Sequence, residues 1–342
     1  MSAPLTESRK DEHLRISLEE DVSFDVLTNG FERIQMVHCA LPEIDLEDVD
    51  TSTKFLGHRL AFPVLIASMT GGSRKAARIN QILAEAAQFF GIGMGLGSMR
   101  IVLEKPSLAW TFKVREYAPT VPIFANIGAV QLNYGYDLDA CRHLVEISEA
   151  DGLYVHLNPL QEALQPEGNT RFSGLLNQIN TLCRHLPVPV IAKEVGWGIS
   201  PGVARALQDA GIAAIDVAGA GGTSWSQVEM HRSQTRVQRE VAASFRDWGI
   251  PTATAIPRVR QAIPDIPLIA SGGLRTGIDV TKSLALGADA ATLADVFLQA
   301  AFVSEQALRD RLTVIQKQIR IAMFATGAGD VAALKQIDLI HT

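Results

Sequence analysis

The chain is poor in most of what would mark a secreted, membrane-bound or nucleic-acid-binding protein. Its three cysteines, Cys39, Cys141 and Cys183, are odd in number and lack CxxC spacing. That argues against a disulfide framework and fits free thiols in a reducing compartment. The longest apolar runs, such as AFPVLIASM at 61–69, fall far short of the ~20 residues a membrane span needs. The N-terminus MSAPLTESRKDEHL is polar and has no apolar signal core. Basic residues are in deficit: 31 Lys and Arg against 37 Asp and Glu give a formal net charge of −6. General attraction to nucleic acid or membrane is therefore not expected, and an anionic ligand would need a local basic cluster. These absences place the protein in the cytoplasm. What is present is a hydrophobic content of 47%, enough for a large core.

Short apolar runs recur at 64–68, 92–96, 122–127, 153–158, 188–194, 214–218, 268–271 and 290–294. Helical patterns lie between them, for example at 76–90, 138–150, 174–185, 201–210 and 277–286. Alternation of this kind predicts an α/β fold with a parallel sheet, and eight strands permit a closed (β/α)8 TIM barrel. The expected organisation is one domain over 1–342, with an N-terminal extension at 1–60 and the barrel at 61–342. An open doubly wound sheet would use fewer strands and carry GxGxxG after the first; here the first strand ends in SMTGG (68–72). The run GIGMGLG places glycine at 91, 93, 95 and 97. Alternate glycines clear one strand face, either for a flat ligand or for a crowded barrel interior. Between strands six and seven lie 49 residues, 219–267, more than one helix requires. A lid or a subunit contact would account for that insertion.

Barrel enzymes build their sites at the C-terminal ends of the strands. In the fourth run, LYVHLN, Tyr154, His156 and Asn158 share one face, with Leu153, Val155 and Leu157 on the other. Polar side chains directed at the barrel axis need partners, from a bound group or from an internal polar network. Gln161 and Glu162 follow at the mouth. A lone carboxylate suits Mg2+ when phosphates and waters supply its other ligands, although it equally suits a solvated loop. Lys193 ends the fifth strand and is open to three readings: Schiff-base nucleophile, phosphate ligand or partner of an electron-rich ring. Asn126 stands at the equivalent height on the third strand. AGAGGTSW (218–225), with Thr223, and SGGLRTG (271–277) are glycine-rich turns running into helices. Such turns bind phosphate through backbone N–H groups. Arg9, Lys10 and His13 in RKDEH, and Arg100 just after Ser98, offer a second anion site.

Taken together, RKDEHL (9–14), TKFLGHRLAFPVLIASMTGG (53–72), GLGSMR (95–100), FANIGAVQL (124–132), HLNPLQE (156–162), KEVGWGIS (193–200), AGAGGTSW (218–225) and ASGGLRTGID (270–279) resemble the type 2 isopentenyl-diphosphate isomerase family. The likeness runs from about residue 9 to the last strand. SGG is common to many flavin barrels, whereas the combination of RKxxH, MTGG, HLNxxQE and GGTSW is specific.

The resemblance implies interconversion of isopentenyl and dimethylallyl diphosphates, a step of isoprenoid biosynthesis, with FMN, Mg2+ and NADPH as flavin reductant. Protonation and deprotonation would be assisted by reduced FMN through N5. It implies that Ala67, Ser68, Met69, Thr70, Ser98, Asn126, Lys193, Thr223, Gly272, Gly273, Leu274 and Ala294 hold FMN, with Lys193 near the N1–C2=O edge. Arg9, Lys10, His13, Ser98, Met99, Arg100, His156, Asn158 and Gln161 would bind the diphosphate substrate. Gln161, His156 and Lys193 would form the catalytic set, and Glu162 would hold Mg2+. No histidine or carboxylate is expected as the catalytic acid, and the alternate glycines are expected to face the flavin. A homo-oligomer, tetramer or octamer, is implied. One departure is Asp295, an acid beside the expected FMN phosphate loop.

Two other readings compete. An FMN-dependent 2-hydroxy-acid oxidase needs a histidine base near the sixth strand, where this chain has AGAGGTSW; His231 and Arg232 come later. A phosphate-binding scaffold would explain the glycine turns but not Lys193, His156, Asn158 and Glu162 together.

Overall fold

A computed structural model describes residues 3–342, with side chains described for residue 10 and residues 12–342. The side chain of Arg9, an expected substrate ligand, lies outside the described residues. The barrel strands are β1 (Val64–Ile66), β2 (Gly93–Gly95), β3 (Ile123–Gly128) and β4 (Gly152–Leu157). They continue as β5 (Val190–Glu194), β6 (Ala214–Asp216), β7 (Leu268–Ala270) and β8 (Ala290–Leu293). Each pairs in parallel with the next, and β8 closes on β1 through Ala291↔Val64 and Leu293↔Ile66. The predicted barrel is thus the observed one.

Strands this short hold because both faces are buried, as parallel sheets require. Outward-facing Leu153, Val155 and Ala192 pack under the helices, in one cluster with Ile82, Leu83 and Phe297. Inward-facing Leu65, Phe124, Tyr154, Ile191, Ala214, Ile269 and Ala290 form a second cluster. Phe55 and Leu60 join that inner cluster from an antiparallel hairpin, Thr53–Phe55 and His58–Leu60, which plugs the N-terminal end of the barrel. Phe55, Phe124 and Tyr154 stack edge to face with centroids 6.1 and 5.5 Å apart. Tyr154 therefore belongs to the apolar floor and not, as its strand face suggested, to a ligand-facing polar set.

Local chemistry sets the helix boundaries. Ser73 accepts a hydrogen bond from the Ala76 backbone and opens the helix Arg74–Phe90. Gly91, with φ 64°, closes it in the left-handed conformation glycine tolerates. Gly95 of β2 and Gly97 just beyond it meet their surroundings more closely than expected. A Cβ on Gly95 would lie 2.4 Å from Ser68 Oγ, and one on Gly97 2.4 Å from the Thr70 carbonyl. The alternation is there because the barrel interior is crowded, and these residues do not line the cavity described below.

The two irregular segments frame the mouth. The first sixty residues supply a helix, Ala3–Glu19, and the plug hairpin. Its segment Ile34–Met36 pairs antiparallel with Leu339–His341, tying the chain ends together. The insertion between β6 and β7 holds the helices Trp225–Arg232 and Arg236–Ala243, followed by the crossover helix Thr252–Ala262. Ile16 of the first helix and Val22 just after it pack with Val228 of the insertion, so the two segments roof the barrel together. Among the described residues no helix is long and apolar enough to cross a membrane.

Candidate active site

Moving two residues up five of the strands from the apolar floor gives a polar layer. Phe124 is followed by Asn126, Ile191 by Lys193, Ala214 by Asp216, Ile269 by Ser271 and Ala290 by Thr292. Above that layer opens a cavity of about 450 Å³, within the range of cofactor and ligand sites.

One wall is a backbone cradle at the ends of β6, β7 and β8. Gly272 has φ 104°, and a Cβ there would lie 1.9 Å from the Gly219 carbonyl oxygen. Only glycine permits the two turns to touch at this point. Thr252 Oγ1 donates to the Gly272 carbonyl at 2.6 Å, and Asn29 Nδ2 to that of Gly273 at 2.7 Å. Those bonds tie back the carbonyls of the turn, whose residues Gly272, Gly273 and Leu274 line the cavity. The helix Gly277–Ala285 is satisfied by its own capping box of Thr276 and Asp279. The helix Asp295–Val303 has no side-chain cap at Ala294, so its first turn is the one available to an anion. Asp295 accepts from Gln299 at 2.9 Å and also lines the cavity, so the acid that departs from the expected pattern stands at this rim.

The opposite wall comes from the ends of β3, β4 and β5. Asn126 Oδ1 accepts from His156 Nδ1 at 2.8 Å, and Lys193 Nζ donates to the Glu194 carbonyl at 2.6 Å. Beside Lys193 on the neighbouring strand, the wholly buried Asp216 bonds to Ser271; burial raises its pKa, opposed by the Lys193 charge. Burial likewise pushes Glu194 up to about 7, against three backbone N–H donors from Val195, Gly196 and Trp197.

Chain geometry turns sharply after β4. Asn158 leaves the strand, and Pro159 starts the short helix Pro159–Leu164 at the position proline favours. This helix carries Gln161 and Glu162 into the mouth. Asn158 Nδ2 donates to both Gln161 Oε1 and Glu162 Oε1 at 3.1 Å, and the Asn169 backbone donates to Glu162 Oε2. Nearby, Arg100 donates to Glu104 at 2.6 Å and to Asn169 Oδ1 at 2.9 Å. From the roofing helix, Lys10 Nζ donates to the Ser98 carbonyl at 2.6 Å and lies 5.0 Å from the Phe112 ring centre.

Of the expected site residues, Met99 is buried in the outer core and does not line the cavity. The others with described side chains all line it.

Glu229 is what sequence reasoning missed. It lies behind Gln161 with its side chain 1% exposed. Gln161 Nε2 and Gln165 Nε2 each donate to its Oε1 at 3.0 Å, and Arg232 Nη1 donates to Oε2 at 2.7 Å. His13 Nε2 approaches Oε1 at 3.2 Å without a well-aligned hydrogen bond. Burial works to raise the Glu229 pKa, but His13, Arg232 and Gln161 outweigh it and hold the carboxyl below its ordinary value. A carboxylate is therefore poised here, contrary to expectation, one amide away from the cavity.

The cavity fits the groups the sequence implied. Ser68 Oγ, Asn158 Oδ1 and Gln131 Oε1 line it as buried polar atoms without a protein partner. Such atoms cost about 1–3 kcal/mol each unless something bonds to them. For a metal, Glu162 is a single carboxylate; among the described residues no group of three His, Cys, Asp or Glu side chains could hold an ion. Only a cation completed by phosphate and water suits such a donor set.

A closed barrel with a glycine-rich cradle across β6 to β8 and a lysine at the end of β5 has the architecture of a flavin-binding (β/α)8 enzyme. A model of the FMN-dependent dehydrogenase family matches residues 7–105 and 159–341. Solved structures of mandelate oxidase share the fold: one bound to benzaldehyde has a TM-score of 0.69 and 20% identity, covering 99% of this chain and 98% of that one. A putative lactate oxidase from Pediococcus acidilactici gives a TM-score of 0.69 at 16% identity, covering 99% and 93% of the two chains.

Much closer in sequence is an isopentenyl-diphosphate delta-isomerase from a Nostoc species, 55% identical over 96% of this chain and 94% of that protein. Proteins of the same name from a Synechocystis species and from Rickettsia felis are 49% and 48% identical, covering 98% and 97% of this chain and 96% of each relative. The chain belongs to the isopentenyl-diphosphate delta-isomerase family.

Proposed function

We propose that the protein interconverts isopentenyl and dimethylallyl diphosphates, using FMN reduced by NADPH and Mg2+. The observation that carries this reading is Gln161, held at the cavity by Asn158 and backed by the buried, ionised Glu229. Isomerisation needs one proton delivered to a terminal alkene carbon and another taken from the neighbouring allylic carbon. The arrangement supplies a proton-handling pair in a pocket sheltered from water, where charge development is most strongly influenced by fixed groups. When bound in its reduced form, FMN would supply an electron-rich ring and an exchangeable proton at N5.

Residues of this chain divide the remaining work. The Gly272–Leu274 turn, Thr223 and the Ala294 helix start hold the FMN phosphate, and Lys193 places its charge at the ring edge. Ala67 to Thr70, Ser98 and Asn126 complete the FMN site. Lys10, His13, Arg100, His156 and Asn158 bind the substrate diphosphate, joined by Arg9. Glu162 anchors Mg2+ against that diphosphate. The catalytic set is Gln161, His156 and Lys193, with Glu229 acting through Gln161. The protein works in the cytoplasm as a homo-oligomer, a tetramer or octamer.

The test is anaerobic incubation of purified protein with FMN, Mg2+, NADPH and isopentenyl diphosphate. Dimethylallyl diphosphate forming only with reduced flavin supports the reading. Bound FMN without product would overturn it and direct a screen of 2-hydroxy acids.

A further inference from the structure

Three separate segments of chain converge on one side chain that the proposed chemistry does not use. Arg232, at the end of the helix Trp225–Arg232, is 10% exposed and spends each of its three nitrogens on a different carboxylate. Nη1 donates to Glu229 at 2.7 Å, Nε to Glu12 of the N-terminal helix at 3.0 Å, and Nη2 to Glu167 beyond the Pro159–Leu164 helix at 2.8 Å. Glu12 and Glu167 are the rim members, 44% and 41% exposed, whereas Glu229 is enclosed at 1%.

We propose that Arg232 is a positioning residue for the isomerisation: it fixes the Glu229 carboxylate behind Gln161 and, through Glu12 and Glu167, binds both roofing segments to that same charge. The inference rests on the reading of Gln161 and Glu229 given above. With Oε2 engaged by Arg232, the carboxylate cannot rotate, and Oε1 stays on Gln161 and Gln165. Planar, forked and permanently charged, guanidinium can meet three acceptors from three directions; an ammonium group in its place would keep one contact at most in this geometry.

The charged groups around Glu229 are few. His13 faces it from the N-terminal helix, Arg232 from its own helix, and Glu162 is the ionisable group of the Pro159–Leu164 helix; Glu12 and Glu167 reach it only through Arg232. Removing Arg232 takes from the buried carboxylate the permanently charged group that contacts it, leaving His13 as the other basic side chain beside it among the described residues. Loss of an adjacent opposite charge raises a carboxyl pKa by about 1–3 units.

The test compares wild-type, Arg232→Met, Arg232→Lys and Glu12→Gln holoenzymes, reconstituted with FMN and reduced, over a pH range spanning the acid limb of kcat. Arg232→Met is expected to move that limb upward by at least about one unit, losing roughly tenfold in kcat at the acid end with substrate KM little changed. Arg232→Lys should move it less, and Glu12→Gln should leave it in place. A limb that stays put in Arg232→Met while kcat falls evenly at every pH would show a merely structural role and overturn the proposal. Should Arg232→Met fail to fold, the equally uncharged Arg232→Gln carries the same comparison. A second measurement needs no turnover: difference infrared titration of the Glu229 carboxylate, assigned with Glu229→Gln, should show its pKa raised in Arg232→Gln, and an unchanged titration refutes the inference. If the wild-type enzyme forms no product, the isomerase reading fails while this titration still decides the role of Arg232.

Discussion

Replacing Gln161 with alanine separates cofactor binding from proton handling. The side chain donates one hydrogen bond to the Glu229 carboxylate and accepts one from Asn158. A hydrogen bond to a charged group contributes about 1.5–3 kcal/mol and a neutral one about 1 kcal/mol. Glu229 keeps Arg232 and Gln165 after the substitution, so its desolvation remains largely offset. The net cost should therefore stay near 1–3 kcal/mol, which a barrel of this size withstands. FMN affinity should be unchanged, because Gln161 sits on the Pro159–Leu164 helix and the phosphate cradle lies across the mouth at Gly272–Leu274. Turnover is another matter. Removing a positioned proton-transfer group costs roughly 10²–10⁴-fold, or about 3–5 kcal/mol of barrier. The assays are FMN titration by flavin fluorescence, a thermal melt, and product formation under anaerobic reduction. Turnover within about threefold of wild type, with FMN bound normally, would remove Gln161 from the mechanism.

Other substitutions probe the rest of the site. Glu162→Gln should raise the Mg2+ concentration for half-maximal activity roughly tenfold; a superimposable Mg2+ titration would exclude the metal role. Gly272→Ala forces a Cβ to 1.9 Å from the Gly219 carbonyl at φ 104°. FMN affinity should fall by at least about tenfold, which equilibrium dialysis would read, and an unaltered Kd would refute the cradle. Glu194 carries a folded-state pKa of about 7, above its unfolded value, so its contribution to stability is full at low pH and is lost as pH rises through 7. Denaturant titrations from pH 4.5 to 7.5 should therefore show a slope that Glu194→Gln flattens; equal slopes would mean the three backbone donors hold the carboxyl low.

Much of this site was legible because strand-end chemistry is local. A strand's inward residues recur every two positions, so Lys193 and His156 could be placed at the mouth by counting from the strand. The turn at Gly272–Leu274 was readable for a similar reason: its glycines and the helix after it are contiguous. Parity, however, does not give depth. Tyr154 shares the inward face with His156 but lies a layer lower, where Phe124 and Phe55 fill the barrel. Nor does parity say what a bare face meets: the glycines of β2 are pressed by Ser68 and Thr70 from the neighbouring chain segment, leaving the cavity to other residues. Met99 has a site residue on either side, yet its side chain turns into the outer core while Ser98 and Arg100 face the mouth.

By itself, the sequence determined the strand count, the parallel closed barrel, the glycine-rich turns after β6 and β7 and the polar strand ends, all of which follow from spacings within one or two elements. The tertiary structure alone decided that Glu229 stands behind Gln161, 68 residues away in the chain, and that Arg232 joins Glu12, Glu167 and Glu229. Those contacts depend on how the insertion helix and the N-terminal helix fold over the mouth, a packing set by Ile16, Val22 and Val228 and not by any local pattern. A charged residue on a surface helix and one buried against a catalytic amide look alike in sequence, because burial is a property of the neighbours that arrive from elsewhere in the chain.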